Sequence, residues 1–201
     1  MQQMRSDIAD NLHEEVNTAL SNINILSEIA KLKASKEPAK SMEYLEQIHT
    51  KSHNMIIAMD DMLWGLDPEN DSMPKTVERM KEYTDALKNR HSTQIDMLVD
   101  KKVERLELNM KHRLESFLLF KELINTIVQS GAQNSRIHIG LEKTNIICTI
   151  QFDNNGSDMQ QLGSALQRPD LDKRLKEINA RLKTQLDKSH SVAVLKIPAN
   201  L

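Results

Sequence analysis

Near the N-terminus, apolar residues recur at steps of four and three, and no other pattern in the chain limits its fold as tightly. The members are Ile8, Leu12, Val16, Ala19, Ile23, Leu26 and Ala30. These steps place every member on one side of an α-helix, at the spacing of a coiled-coil seam. They predict a helix over residues 3–34, which ends before Pro38 because proline disfavours helical geometry in the residue that precedes it.

A second helix is predicted over about residues 40–66. One of its faces carries Leu45, Ile48, Met55, Met59 and Met62. Further apolar residues widen the stripes of both helices, namely Ile25, Ile29, Ile56, Ile57 and Leu63. Two antiparallel helices cannot bury stripes of this width against each other alone, so we expect a homodimer in which two hairpins form a four-helix bundle.

The remainder of the chain changes character. Gly65 and Pro68 are typical of a helix end, and we place a domain boundary near residue 72. The predicted domains are therefore a helical hairpin, 1–72, and a small α/β sandwich, 73–201, which together make an α+β protein. The predicted elements of the second domain are helices over 75–89, 111–130 and 170–188 and strands over 93–99, 136–142, 146–152 and 191–197.

Composition narrows the function classes. The net charge is −2 and no dense basic run occurs, which argues against nucleic-acid binding. No apolar stretch is long enough to span a membrane and no signal peptide is visible, so we expect a cytoplasmic domain; a membrane tether in a longer protein is left open. The single cysteine, Cys148, excludes an internal disulfide. His49 and His53 lie four residues apart but lack companion ligands, so no metal site is predicted.

His13 is the residue best suited to chemistry. It follows the seam residue Leu12, so its ring is expected to face solvent. Glu14 and Glu15 would raise the basicity of the ring, and a neutral imidazole nitrogen is a competent nucleophile towards a phosphoryl group. Taken alone, an exposed helical histidine beside a glutamate is more often an ordinary surface residue.

The surrounding residues resemble a known family. Arg5, Ile8, Ala9, Leu12, His13 and Glu14 match the phosphoacceptor motif of a subfamily of two-component sensor histidine kinases. Residues 56–72 resemble the end of its second dimerisation helix, and residues 79–83 and 120–125 resemble segments of its ATPase-like domain. The resemblance implies a homodimer that transfers phosphate from ATP to His13 and then to an aspartate in the receiver domain of a response regulator. It also gives Thr18 a role in dephosphorylating that partner.

The same resemblance assigns ATP and Mg²⁺ binding to Glu122, Asn125, Asp153 and Gly156, and here the sequence departs from the family. The family's magnesium-binding asparagine falls at Thr126, with Asn125 one step away, which is a turn of about 100° around a helix. Asp153 is retained, but both glycines expected after it are replaced when the motif is counted from that residue. A second glycine-rich, phosphate-cradling motif is absent, and the ATP lid is reduced to residues 157–168. We therefore expect ATP binding to be weakened or lost.

Three functions stay open at this point. The first is a histidine-kinase-like phosphorelay dimer that carries phosphate on His13 and relays it to or from a receiver aspartate. The second is an active ATP-dependent sensor kinase core with an atypical nucleotide site. The third is a non-catalytic dimeric module that binds a response regulator without phosphate. Whether the chain is an enzyme depends on which of them holds.

Overall fold

The computed structural model describes residues 2–153, 159–187 and 189–199; in the first helix it describes the side chains of His13 and of the residues from Val16 onward. The chain divides into two compact units, residues 1–68 and 69–201, called here the hairpin and the α/β unit. The predicted boundary lay near residue 72, slightly later. The difference has a local cause, because Asp71 forms an ion pair with the buried Arg113 of the α/β unit.

The hairpin consists of two helices, α1 (Gln2–Lys33) and α2 (Pro38–Leu66). Pro38 occupies the first turn of α2, where its missing N–H costs no hydrogen bond. Close to the connection, the Ser41 hydroxyl donates a hydrogen bond of 2.9 Å to the carbonyl oxygen of Ala30 and joins the two helices. The short connection turns the chain back on itself, so the helices pack side by side.

A short 3₁₀ turn, Pro68–Asn70, includes the first residues of the α/β unit. Its helices are α3 (Met73–His91), α4 (Lys101–Glu104), α5 (Met110–Gln129), α6 (Met159–Ala165) and α7 (Pro169–Glu177). Its strands are β1 (Gln94–Val99), β2 (Asn134–Glu142), β3 (Asn145–Asp153), β4 (Arg181–Gln185) and β5 (His190–Pro198). Side-chain caps start both long helices: Ser72 accepts from the N–H of Lys75, and Asn109 accepts from the N–H of His112.

One sheet organises this unit, with the strand order β1-β2-β3-β5-β4. Strand β1 runs parallel to β2, and the other neighbours are antiparallel. Along β3, Ile146, Cys148, Ile150 and Phe152 are buried, whereas the residues between them are half-buried or exposed. Because side chains alternate across a strand, the buried set faces the helices and the other set faces away from them. The predicted mixed α+β fold is confirmed.

The predicted helix over 170–188 is wrong in its second half. Helix α7 ends at Glu177, and Arg181–Gln185 is an edge strand that pairs antiparallel with β5. The chain leaves the helix through Asn179, which adopts a left-handed conformation with φ of 53°. Hydrogen bonds to β5 then override a local sequence that is compatible with helix.

No helix in the part of the chain that the structure describes is both long enough and apolar enough to cross a membrane.

Candidate functional site

His13 lies within α1 and is exposed. Val16, three residues further on, is half-buried, as the seam requires. The ring of His13 is therefore available to a partner or a reagent from solvent. Glu14, which was predicted to support the ring, has its side chain outside the described residues.

Thr18, the second residue predicted to act beside His13, is also exposed. A separation of five residues turns a side chain about 140° around a helix, so Thr18 does not lie directly over the histidine. Asn17, four residues after His13, is the closer neighbour by helix geometry and is exposed as well. The sequence prediction missed Asn17, although the spacing of four could have identified it.

Glu122 and Asn125 lie on α5. Their separation of three residues places them on one side of the helix, and both are half-buried. Thr126 is half-buried too and lies four residues from Glu122. The Glu122 carboxylate is engaged, because Oε1 accepts a hydrogen bond of 2.5 Å from Nη2 of Arg168.

Asp153 is the last residue of β3 and belongs to the set that faces away from the helices. Its Oδ1 is 2.9 Å from Nδ1 of His190, and its Oδ2 accepts a hydrogen bond of 3.1 Å from Nδ2 of Asn134. His190 is the first residue of β5 and lies in register with Asp153. Asn134 is the first residue of β2 and lies next to the register pair of Ser135 and Phe152. The structure therefore does not bring Asp153 together with Glu122, which lies in the helical layer. Gly156 lies outside the described residues.

Of the predicted short lid, 157–168, the structure describes residues 159–168, which begin with α6. Leu162 of α6 and Leu166 after it are 2% and 4% exposed, and both belong to the main core. Arg168 then pairs with Glu122, and Arg174 of α7 pairs with Glu115 at 2.8 Å. Burial raises the pKa of the Glu115 carboxyl, and the Arg174 guanidinium opposes that rise. Sequence reasoning missed both arginines, because nothing in their local sequence indicates what they contact.

The predicted nucleotide ligands that the structure describes do not converge on one place. Across residues 2–153, 159–187 and 189–199, no group of three or more His, Cys, Asp or Glu side chains is placed to hold a metal ion. Of the predicted nucleotide ligands that are described, Glu122 and Asp153 are engaged by side chains of the chain itself and lie on different sides of the sheet. Asn125, the third described ligand, is half-buried on the same side of α5 as Glu122.

A second histidine–carboxylate pair lies on the outward face of the sheet. Nε2 of His138 is 3.1 Å from Oδ1 of Asp100, and both side chains are about half exposed. The pair explains Gly140, since a Cβ atom at that position would come within 2.9 Å of Asp100 Oδ2.

Comparison with solved structures identifies the fold. The histidine kinase AdeS of Acinetobacter baumannii is 13% identical, with a TM-score of 0.53 over 93% of this chain and 98% of that chain. The blue-light-activated histidine kinase EL346 of Erythrobacter litoralis is 9% identical, with a TM-score of 0.52 over 94% of this chain and 60% of that chain. The catalytic domain of the histidine kinase ThkA is 11% identical, with a TM-score of 0.49 over 64% of this chain and 92% of its own. No protein-family model and no curated protein sequence matches the chain.

At these identities the likeness concerns the fold. The matches to AdeS and EL346 cover nearly the whole chain and so include both the hairpin and the α/β unit. The chain has the fold of a sensor histidine kinase.

Proposed function

We propose that this protein acts in two-component signalling as a dimeric phosphorelay module: it carries phosphate on His13 and exchanges it with a receiver aspartate, without using ATP. The observation that carries the proposal is a contrast between two sites. His13 is exposed on α1, whereas Glu122 and Asp153 are engaged by Arg168 and His190. The histidine kinase fold and the motif around His13 support the same class of function.

The chemistry requires only a nucleophile and a phosphorylated partner. The unprotonated ring nitrogen of His13 would attack the phosphorus of an aspartyl phosphate. A nitrogen–phosphorus bond forms as the bond from phosphorus to the carboxylate oxygen breaks, and the receiver carboxylate leaves. The other ring nitrogen gives its proton to solvent or to Glu14, and the reverse reaction returns phosphate to the receiver. Thr18 keeps the supporting role that the resemblance gives it, and Glu14 keeps the role predicted from its position beside the ring.

Dimerisation is part of the proposal, and the exposed apolar residues of α2 support it. Leu45, Ile56 and Leu63 are 49%, 56% and 56% exposed. Steps of eleven and seven residues place all three within about 20° of one line along the helix. Their stripe is about 27 Å long at 1.5 Å per residue. Burying one such side chain completely is worth about 1.5–3 kcal/mol, so a second hairpin is a suitable cover.

The proposed partners follow from this chemistry. One is a second copy of the chain, and the other is a response-regulator receiver domain, which places the activity in the cytoplasm. The α/β unit would act as a scaffold.

The test is phosphate transfer from receiver domains. A panel of receivers charged with radiolabelled acetyl phosphate is mixed with the protein, and acid-labile label is mapped by mass spectrometry. We expect label on His13 of the wild type and none on His13→Ala or His13→Gln. His49→Ala is the matched control, because His49 is another exposed helical histidine of the hairpin. Label that persists in both His13 variants, or no label on His13 with any receiver, contradicts the proposal.

A further inference from the structure

The outer surface of α5 is held by a segment that follows it in sequence. We call residues 159–177 the strap; they comprise α6, a connection and α7. Three ion pairs join the strap to α5. Their distances are 2.5 Å from Arg168 Nη2 to Glu122 Oε1, 2.8 Å from Arg174 Nη1 to Glu115 Oε2, and 2.5 Å from Lys111 Nζ to Glu177 Oε2.

Two of these pairs are shielded from solvent on the α5 side. The side chains of Glu115 and Glu122 are 15% and 23% exposed, and those of Arg174 and Arg168 are 26% and 46% exposed. Charges in such places interact more strongly than charges in open water. A partly buried carboxylate also costs free energy when its partner is removed, because the remaining charge is left without compensation.

Apolar anchors fix the strap independently of the ion pairs. Leu162, Leu166 and Leu171 are at most 4% exposed and belong to the main hydrophobic core. They are spaced along the strap, so each part of it is attached to the core. A flexible lid that opens and closes over a ligand would have to withdraw these buried side chains into water, which is unfavourable for each of them.

We propose that the strap is a permanent cover of α5, in which Arg168 is the counter-ion of Glu122. The guanidinium of Arg168 thereby occupies the carboxylate that the resemblance assigns to nucleotide and metal binding. The inference deepens the proposed function, since it names what keeps the nucleotide side closed. The strap stays closed whether or not ATP is present. Arg168 is a positioning residue here and touches no reactant.

Hydrogen exchange on the full chain tests the inference. Exchange of the strap amides is measured by mass spectrometry with and without millimolar Mg·ATP. We expect identical exchange in the wild type under both conditions. Arg168→Ala and Glu122→Gln should each speed exchange over 162–172 about tenfold, because a tenfold change corresponds to about 1.4 kcal/mol of opening free energy. The double variant Arg168→Glu with Glu122→Arg should restore slow exchange.

Arg181→Ala is the matched control, because Arg181 is an exposed arginine of the same unit on the edge strand β4. It should leave exchange of the strap unchanged. Two results would overturn the inference: Mg·ATP alters protection of the strap in the wild type, or both single variants exchange at the wild-type rate. Each differs from a failure of the proposed function, which would appear as absent label on His13 with the strap still closed.

Discussion

The hairpin and the α/β unit bury their apolar residues to very different degrees. In the α/β unit, Phe117, Phe120, Leu123 and Ile124 are at most 1% exposed, and the core continues through both long helices and the sheet. In the hairpin, several large apolar side chains are about half exposed or more, among them Leu32 at 76% and Ile25 at 59%. The α/β unit buries its large apolar side chains within one chain, whereas the hairpin leaves several of them in solvent, which supports the proposed dimer.

This difference matches a difference in charge. The hairpin contains 6 Lys or Arg and 11 Asp or Glu residues, whereas the α/β unit contains 21 and 18. The exposed apolar stripe of α2 therefore lies on an acidic unit, where like charges would oppose unspecific association. Packing of apolar side chains, and not charge attraction, is expected to join two hairpins.

The largest effect is expected in the core of the α/β unit. Phe117→Ala removes a fully buried ring from α5 and should lower the free energy of unfolding of that unit by about 3–5 kcal/mol. Chemical denaturation followed by circular dichroism measures the loss. The loss should not depend on protein concentration, because the core is formed within one chain.

Leu45→Ala in the hairpin is the comparison. Leu45 is 49% exposed, so its truncation should cost little in a monomer and more in a dimer that buries it. If Leu45→Ala lowers the free energy of unfolding by as much as Phe117→Ala at every protein concentration, the contrast between the two units is wrong.

The next effect concerns self-association. Ile56→Glu places a charge in the middle of the α2 stripe and should weaken the dimer about 100-fold, or about 2.7 kcal/mol. Sedimentation equilibrium measures the dissociation constant. Leu98→Glu is the control, because Leu98 is 65% exposed but lies on β1 of the α/β unit. A wild type that is monomeric at high concentration, or an equal loss in both variants, would contradict the assignment of the stripe.

A smaller effect should appear on acidification of the α/β unit. Burial lowers the pKa of His112, helped by the neighbouring charge of Lys111. Among the described residues, its Nε2 has no hydrogen-bond partner. Since the folded state favours the neutral ring, the stabilisation is present above the unfolded pKa and is lost as pH falls through the folded pKa.

The melting temperature of the wild type should therefore fall further between pH 7.5 and pH 5 than that of His112→Phe, because only the wild type loses the stabilisation of a neutral His112 ring. Differential scanning calorimetry at both pH values measures the difference. Parallel curves for the two proteins would show that His112 titrates as freely in the folded chain as in the unfolded one.

The sequence predicts the general architecture better than the site. The seam from Ile8 to Ala30 and the apolar run of α5 predict long helices, because apolar residues recur in both at the spacing of a helix face. The sequence predicts a helix where strand β4 lies, because the pairing of β4 with β5 is a tertiary contact that no local pattern reveals.

The nucleotide residues show a different limit. Asp153 matches the aspartate of the family's motif, but the glycine positions after it do not match. The alternation of side chains along β3 also turns the Asp153 side chain away from the helices. A shift of one residue along a strand exchanges its two faces, and sequence spacing alone does not fix the register. The pairing of Arg168 with Glu122 spans 46 residues and was equally invisible.

The smallest expected effect is an absence of reaction. Cys148 is 3% exposed on β3, and burial raises the pKa of its thiol to about 12. Because the thiolate is the reactive form, the native protein should not react with Ellman's reagent, whereas the denatured protein should release one equivalent of chromophore per chain. Rapid reaction of the native chain would show that the core of the α/β unit opens readily, and it would contradict the description of this unit as well packed.

In the proposed function, phosphate reaches His13 from a receiver and not from ATP. Its most direct test offers the same protein two radiolabelled donors, Mg·ATP alone and phosphorylated receiver domains alone, and compares the acid-labile label on His13. We expect label from a receiver and none from ATP. Label from ATP that disappears in His13→Ala would contradict it and show instead an active kinase.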